Sequence, residues 1–199
     1  MKNLFVKMLS LVFVTMLLAG CNSESNTVSS ENELSLLKPG NPGYELGSLS
    51  QEEIDGLIHM RIEEKLARDV YTVLGNKWQA KVFLNIKLSE QAHMNAINRL
   101  LVKYGIQDPL TTDEVGIFPN ESFQNLYNEL VAQGSVSLIE AFKVGVKIEE
   151  LDIEDLNHQL QNVVDNIDII RVYTNLKTGS ENHLKAFNRN LTFVCQQQQ

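Results

Sequence analysis

Cysteine is scarce in this chain: there are two in 199 residues, Cys21 near the start and Cys195 near the end. Isolated thiols at opposite ends cannot supply the four paired cysteines of a rubredoxin-type site, so no electron-carrying module is built in. Basic residues are also in short supply, 17 against 25 acids for a net charge of -8. With no basic stripe interleaved with aromatics, this balance argues against a nucleic-acid surface. A glycine-rich phosphate loop and a Gly-x-Ser-x-Gly elbow are both missing, which removes several common enzyme designs. The apolar run Met8 to Leu18 falls short of the ~20 residues of a dependable membrane span. What is present is 43% hydrophobic content, enough to bury one sizeable core and hardly two.

The first twenty residues read as an address rather than as fold. Lys2 and Lys7 flank a short positive region, Met8 to Leu18 is the apolar stretch, and Leu18-Ala19-Gly20-Cys21 follows. That tetrad resembles the lipobox of bacterial lipoproteins. The resemblance implies cleavage before Cys21, a diacylglyceryl group on its sulfur and, in many bacteria, acylation of the new amino terminus. Two or three acyl chains anchor stably where one is marginal. An uncleaved anchor, or a secretory signal with a chance cysteine, is the alternative. Asn22 rather than Asp follows the cysteine, so no inner-membrane retention signal is visible. The expected location is a bacterial cell envelope, on the outer membrane facing the periplasm where the host has two membranes. Without residues 1–20, 25 acids face 15 bases, because Lys2 and Lys7 are lost. Lipidation of Cys21 leaves Cys195 as the one free thiol, so export brings no internal disulfide framework.

Residues 21–50 are rich in Ser, Asn, Glu, Gly and Pro, with Pro39-Gly40-Asn41-Pro42-Gly43 among them, and read as a tether. Fully extended it reaches on the order of 90 Å. The helical domain is expected over 51–195, with 196–199 a disordered tail. Ser50 followed by Glu53 matches a capping box and starts a helix running to about Gly75. Its seam takes Leu57, Met60, Glu64, Ala67, Tyr71 and Leu74, so periodicity assigns Glu64 to the core. A second helix, Lys81 to Tyr104, places Phe83, Ile86, Glu90, His93, Ile97 and Leu100 on one face. Asp108-Pro109 and Pro119 mark 105–120 as a crossing loop. A short helix over Glu121 to Gln133 follows, then a long one capped by Ser135 or Ser137 and extending to about Val164. Its seam is Phe142, Gly145, Glu149, Ile153, Leu156 and Leu160, with Asp152 one turn beyond Glu149. The last helix begins near Ile167 and carries Ile170, Tyr173, Leu176, Ser180, His183, Phe187 and Leu191, although Gly179 weakens it.

Carboxylates and imidazoles thus fall on the inward faces of four helices. Two carboxylate-bridged ions in a bundle use one Glu from each of two helices and a Glu-x-x-His from each of the others. Glu90 and His93 have that i, i+3 spacing. Carboxylates neutralise a cation and imidazole shifts preference toward iron, manganese or similar ions, with zinc a further fit. Open positions on such ions admit dioxygen or peroxide.

Glu64-Lys65-Leu66-Ala67-Arg68-Asp69-Val70-Tyr71 resembles the first-helix pattern E-x-x-A-R-[ND]-x-Y of rubrerythrins, and Ser89-Glu90-Gln91-Ala92-His93 resembles their E-x-x-H. From Leu57 to Phe193 the chain is also similar to the bacterial ferritin-like family called domain of unknown function 2202. That match is carried by the segments around Glu64 to Tyr71, Val144 to Leu156, and Gly179 to Phe187. The resemblance implies an all-α, ferritin-like four-helix bundle with a long crossover and a short extra helix. It implies metal ligands at Glu64, Glu90, His93, Glu149 and His183, and brings no established reaction. Ser180 stands where the di-iron pattern has Glu, and Glu181 points about 100° away on an ideal helix. Without that carboxylate the alternatives are an asymmetric site, a single metal ion, or recruitment of Asp152, Glu150 or Glu181.

Each position also has a plainer reading. Glu64 and Glu149 can be solvated neighbours of the core, and His183 a core histidine bonded to Tyr71 or Tyr173. Arg68, at i+4 from Glu64, offers a metal-free internal ion pair. His59 and His158 read as surface residues. Jointly, several unpaired acids facing one core are costly unless protonated or bound to a cation. The expectation is a lipid-anchored bundle holding one or two iron or manganese ions and acting on peroxide, dioxygen or ferrous iron. Tyr71, Arg68, Tyr173 and Ser180 would lie around the ions, and electrons would come from an external donor. The membrane is the one expected macromolecular partner, nucleic acid is not, and a homo-oligomer is compatible with this reading. The competing expectation is a non-catalytic envelope protein with a structural polar core or a metal-sequestering role.

Overall fold

The computed structural model describes residues 48–197. Cys21, the leader and nearly all of the tether lie outside the described residues. The described part is helical: α1 Gln51–Trp78, α2 Lys81–Lys103, α3 Glu121–Gly134, α4 Leu138–Asn162 and α5 Ile167–Gln196. The expected helices are all present, and the differences are at their ends. α1 runs three residues past Gly75 before Gln79, at φ 49°, stops it. α5 passes through Gly179 and includes Gln196, so the expected disordered tail of 196–199 begins at least one residue later.

Side-chain caps start four of the five helices. Ser50 and Glu53 form the expected capping box, with Glu53 N donating to Ser50 Oγ at 3.1 Å and Ser50 N to Glu53 Oε2 at 2.9 Å. Glu53 also accepts from the backbone N–H groups of Asp165 and Asn166. One carboxylate therefore caps α1 and ties it to the α4–α5 connection. Asn120, Ser137 and Asn166 cap α3, α4 and α5, each accepting from a backbone N–H of the first turn.

α1 packs along α2 and α4 along α5, with α1 also facing α4 and α2 facing α5, while α3 lies against α1 and α4. The buried residues fall into two apolar clusters. One gathers Tyr71, Leu74, Phe83, Ile86, Phe142 and Phe187, and the other Leu57, Met60, Ile97, Leu101, Leu156, Tyr173 and Leu176. Chain order fixes direction, because α1 and α5 run from the second cluster to the first, whereas α2 and α4 run from the first to the second. Each hairpin is thus antiparallel, as connections of a few residues require. Phe83 stacks on Phe142 at 5.4 Å and meets Phe187 at 4.9 Å, closing the first cluster.

The crossing segment between α2 and α3 is held down by charge. Lys65 is fully buried, bonded to Asp69 and to the Glu114 carbonyl at 2.8 Å, and lies over the Phe118 ring. Asp69 accepts from Gly116 N at 3.0 Å, and Arg68 bridges Asp69, Gln91 and Asp113. Arg61 holds Asp108 at 2.8 Å. Arg68 therefore points away from Glu64, and the anticipated internal ion pair between them does not form. Its guanidinium is held by Asp113 of the loop and by Asp69, its neighbour on α1.

Candidate metal centre

Between the two apolar clusters lies a layer of polar side chains, one turn from each long helix. α1 supplies Glu64, α2 Glu90 and His93, α4 Glu149 and Asp152, and α5 Ser180 and His183. All are buried; Glu64, Glu90 and Glu149 are each 2% exposed. The heptad-like spacing that puts Met60 and Ala67 in the core puts Glu64 there too, so the helix that buries its apolar seam must bury this carboxylate.

Glu90 sits at the middle. His93 Nδ1 is 2.9 Å from Glu90 Oε2 and 3.2 Å from Glu64 Oε2. His183 Nδ1 is 2.8 Å from the other oxygen, Glu90 Oε1, and 3.4 Å from Glu149 Oε2. Two triads result, Glu64-Glu90-His93 and Glu90-Glu149-His183, sharing one carboxylate. The imidazole rings face each other at 5.5 Å. Glu64 Oε1, Glu90 Oε1, Asp152 Oδ1 and His183 Nδ1 are buried without a hydrogen-bond partner. The approach of His183 to Glu90 is thus close without the alignment of a hydrogen bond. Ions bound at about 2.0–2.1 Å set neighbouring ligand atoms about 3.0 Å apart at right angles and about 3.4 Å at tetrahedral angles. The four imidazole-to-carboxylate separations, 2.8 to 3.4 Å, are close to those values, and the donor atoms of each triad lie within 4.8 Å of one another, so each triad could hold one cation, with Glu90 common to both.

The electrostatics describe what protons do in the absence of such ions. Burial pushes Glu64 up to about 8, only partly opposed by His93. Burial and the charge of Glu90 push Glu149 up to about 7, and burial with the neighbouring Glu64, Glu63 and Glu149 raises Asp152 well above the usual range. Burial disfavours the imidazolium form of His93 and His183, yet their carboxylate neighbours outweigh it, raising them to about 11 and about 9. Glu90, against its own burial, is brought down to about 2 by His183 and His93. The layer traps protons wherever cations would sit.

All five expected ligands converge here. Of the three candidate replacements, Asp152 joins the layer, while Glu150 is exposed and Glu181 pairs with Lys177 at 3.0 Å on the outside of α5. Asp152 lies beside Ser180, so α4 supplies a carboxylate next to the place where the di-iron pattern takes one from α5. Ile153 and Leu160, assigned to the seam by periodicity, are only partly buried, because the inward line runs Glu149, Asp152, Leu156. Tyr71 donates to Glu149 Oε1 at 2.6 Å and leaves His183 to the carboxylates. Tyr173 is buried in the second apolar cluster without a hydrogen bond. His59 is not a plain surface residue: it is partly buried between Glu63 and Asp155, both 3.4 Å away. Its partner Asp155 is 96 residues distant, which sequence spacing could not bring to it. Gly179, read as a weak point, has a specific use. A Cβ there would stand 2.6 Å from His93 Nε2, so glycine lets α5 pass this imidazole without displacing it.

An uncharacterized protein of Methanocaldococcus jannaschii, MJ0754, is 53% identical over 143 residues, covering 72% of this chain and 77% of its own length. The crystal structure of hypothetical protein MJ0754 superimposes with a TM-score of 0.74 at 50% identity, over 76% of this chain and 86% of that one. A family model described as "Uncharacterized protein domain (DUF2202)" matches residues 53–198, and the chain belongs to that family.

Proposed function

We propose that this is a ferritin-like bundle that binds two transition-metal ions, iron or manganese, across Glu90, and is held at the cell envelope by a lipid on Cys21. The observation that carries the reading is the position of Glu90: each of its oxygens faces a different imidazole, and each imidazole faces a further carboxylate. Charge supports two ions rather than one, since the four carboxylates Glu64, Glu90, Glu149 and Asp152 balance two divalent cations when both histidines are neutral. The two antiparallel hairpins joined by a long crossing, with the polar layer at mid-height, support the ferritin-like assignment.

Ions held here would supply one-electron redox chemistry toward peroxide, dioxygen or ferrous iron. The chain's own part is positional. Glu64 and His93 would hold one ion, Glu149 and His183 the other, and the Tyr71 hydroxyl fixes the orientation of Glu149. The apolar clusters above and below keep bulk water from the layer. Electrons come from outside, because the chain has no paired cysteines.

The proton-trapping electrostatics favour one second reading, a metal-free polar core in which imidazolium and carboxylate neutralise each other. Metal analysis of protein from its native host separates the two. The metal reading predicts near-stoichiometric iron or manganese and a raised melting temperature on adding either; fewer than about half an ion per chain with no thermal shift would refute it. With iron bound, stopped-flow spectra that change on mixing with peroxide support redox use, and an inert centre leaves sequestration.

A further inference from the structure

A second group of ligating side chains lies outside the central layer. His59 Nε2 stands 3.4 Å from Glu63 Oε2 and 3.4 Å from Asp155 Oδ2, and the three donor atoms lie within 4.8 Å of one another. Glu63 is 9% exposed and its Oε2 is buried without a hydrogen bond. One imidazole nitrogen and two carboxylate oxygens, the nitrogen at a tetrahedral-edge separation from each oxygen, are a donor set for a divalent transition-metal ion. We propose that His59, Glu63 and Asp155 form an outer cation site and that this site feeds the buried centre. The feeding role rests on the metal-binding function proposed above; the outer site does not.

Two rails connect the sites. On α1, His59, Glu63 and Glu64 succeed one another inward, and on α4 Asp155, Asp152 and Glu149 do the same at i, i-3 and i-6. Exposure falls along both. The side chains of His59 and Asp155 are 34% and 33% exposed, Glu63 and Asp152 are 9% and 5%, and Glu64 and Glu149 are 2% each. Asp152 lies within the field of Glu63 on the outer side and of Glu64 and Glu149 on the inner side, and its Oδ1 has no hydrogen-bond partner. A cation entering at His59 therefore meets a carboxylate at each step of its desolvation, which is the only inexpensive way to bring a bare charge into a helical core.

The test is isothermal titration of the full chain in detergent with Co(II), together with the rate at which the centre fills. His59→Gln and Asp155→Asn should each bind one ion fewer than wild type, and their inner sites should fill about tenfold more slowly through loss of charge focusing at the entrance. Glu90→Gln and Glu64→Gln should keep the outer ion while losing inner ones, with circular dichroism reporting that each variant is folded. Wild-type stoichiometry in both outer variants would overturn the outer site and leave His59 as an imidazolium between two acids. Loss of one ion with unchanged filling rate would overturn the feeding role. Unchanged stoichiometry in both Glu90→Gln and Glu64→Gln would sink the central metal site while the outer site stands.

Discussion

Gly179 illustrates how a single residue decides the geometry of the centre. Its missing Cβ leaves room for the His93 ring, whose Nε2 would otherwise be 2.6 Å from a methyl group. Alanine has the better helix propensity, so Gly179→Ala should leave helicity unchanged or higher. It should also displace the imidazole and weaken metal binding by about 10–100-fold, the scale seen when the support of a ligand is disturbed. Manganese titration with circular dichroism checks both halves; undiminished affinity would mean that His93 is not a ligand. At this scale the inward positions of the five candidate ligands were legible from periodicity, since a polar side chain in an otherwise apolar seam has nowhere to go but inward. The roles of Gly179 and His59 were not, and Asp152 was legible only as one of three candidates beside Glu150 and Glu181. Each depends on a partner from another helix, and no spacing within one helix reports on it.

Among the elements, the crossing segment depends most on buried charge. In the motif Glu64 to Tyr71, only Glu64 and Tyr71 reach the polar layer, whereas Lys65, Arg68 and Asp69 turn to the loop. Removing one member of a buried pair leaves the other uncompensated, at a cost of about 3–5 kcal/mol. Asp69→Asn should therefore destabilise the domain by that order, and open residues 105–120 to proteolysis before the helices unfold. Limited proteolysis with chemical denaturation measures both effects, and a small cost with a protected loop would contradict the latch. The loop itself was legible from Pro109 and Pro119. Its anchoring was not, because Arg68 at i+4 from Glu64 has the spacing of a helical ion pair, and the loop acid Asp113, 45 residues away, takes its guanidinium together with the adjacent Asp69.

For the whole molecule, two apolar clusters enclose a layer that must be neutralised by protons or by metal. The sign of its pH dependence follows. His93 and His183, raised to about 11 and about 9, contribute stability that is complete below the ordinary histidine value and lost as pH rises through those values. Glu64 and Glu149, raised to about 8 and about 7, hold protons more tightly folded than unfolded, so they too favour the fold at lower pH. Glu90, brought down to about 2, contributes above the ordinary carboxylate range and is constant through neutrality. The metal-free protein should thus melt lower at about pH 9 than at about pH 6, and saturating manganese should flatten or reverse that trend because cations replace the protons. Melting curves with chelator and with manganese read this directly. A metal-free protein that gains stability over the same interval would contradict the assignment of protons to the layer.

The central claim is that Glu90 bridges two cations, and anomalous diffraction from crystals grown with Mn(II) tests it most directly. Two anomalous peaks are predicted beside the Glu90 carboxylate, one against Glu64 and His93 and one against Glu149 and His183. Crystals at saturating manganese with no peak in this layer, and with the histidines still paired to the same carboxylates, would contradict it.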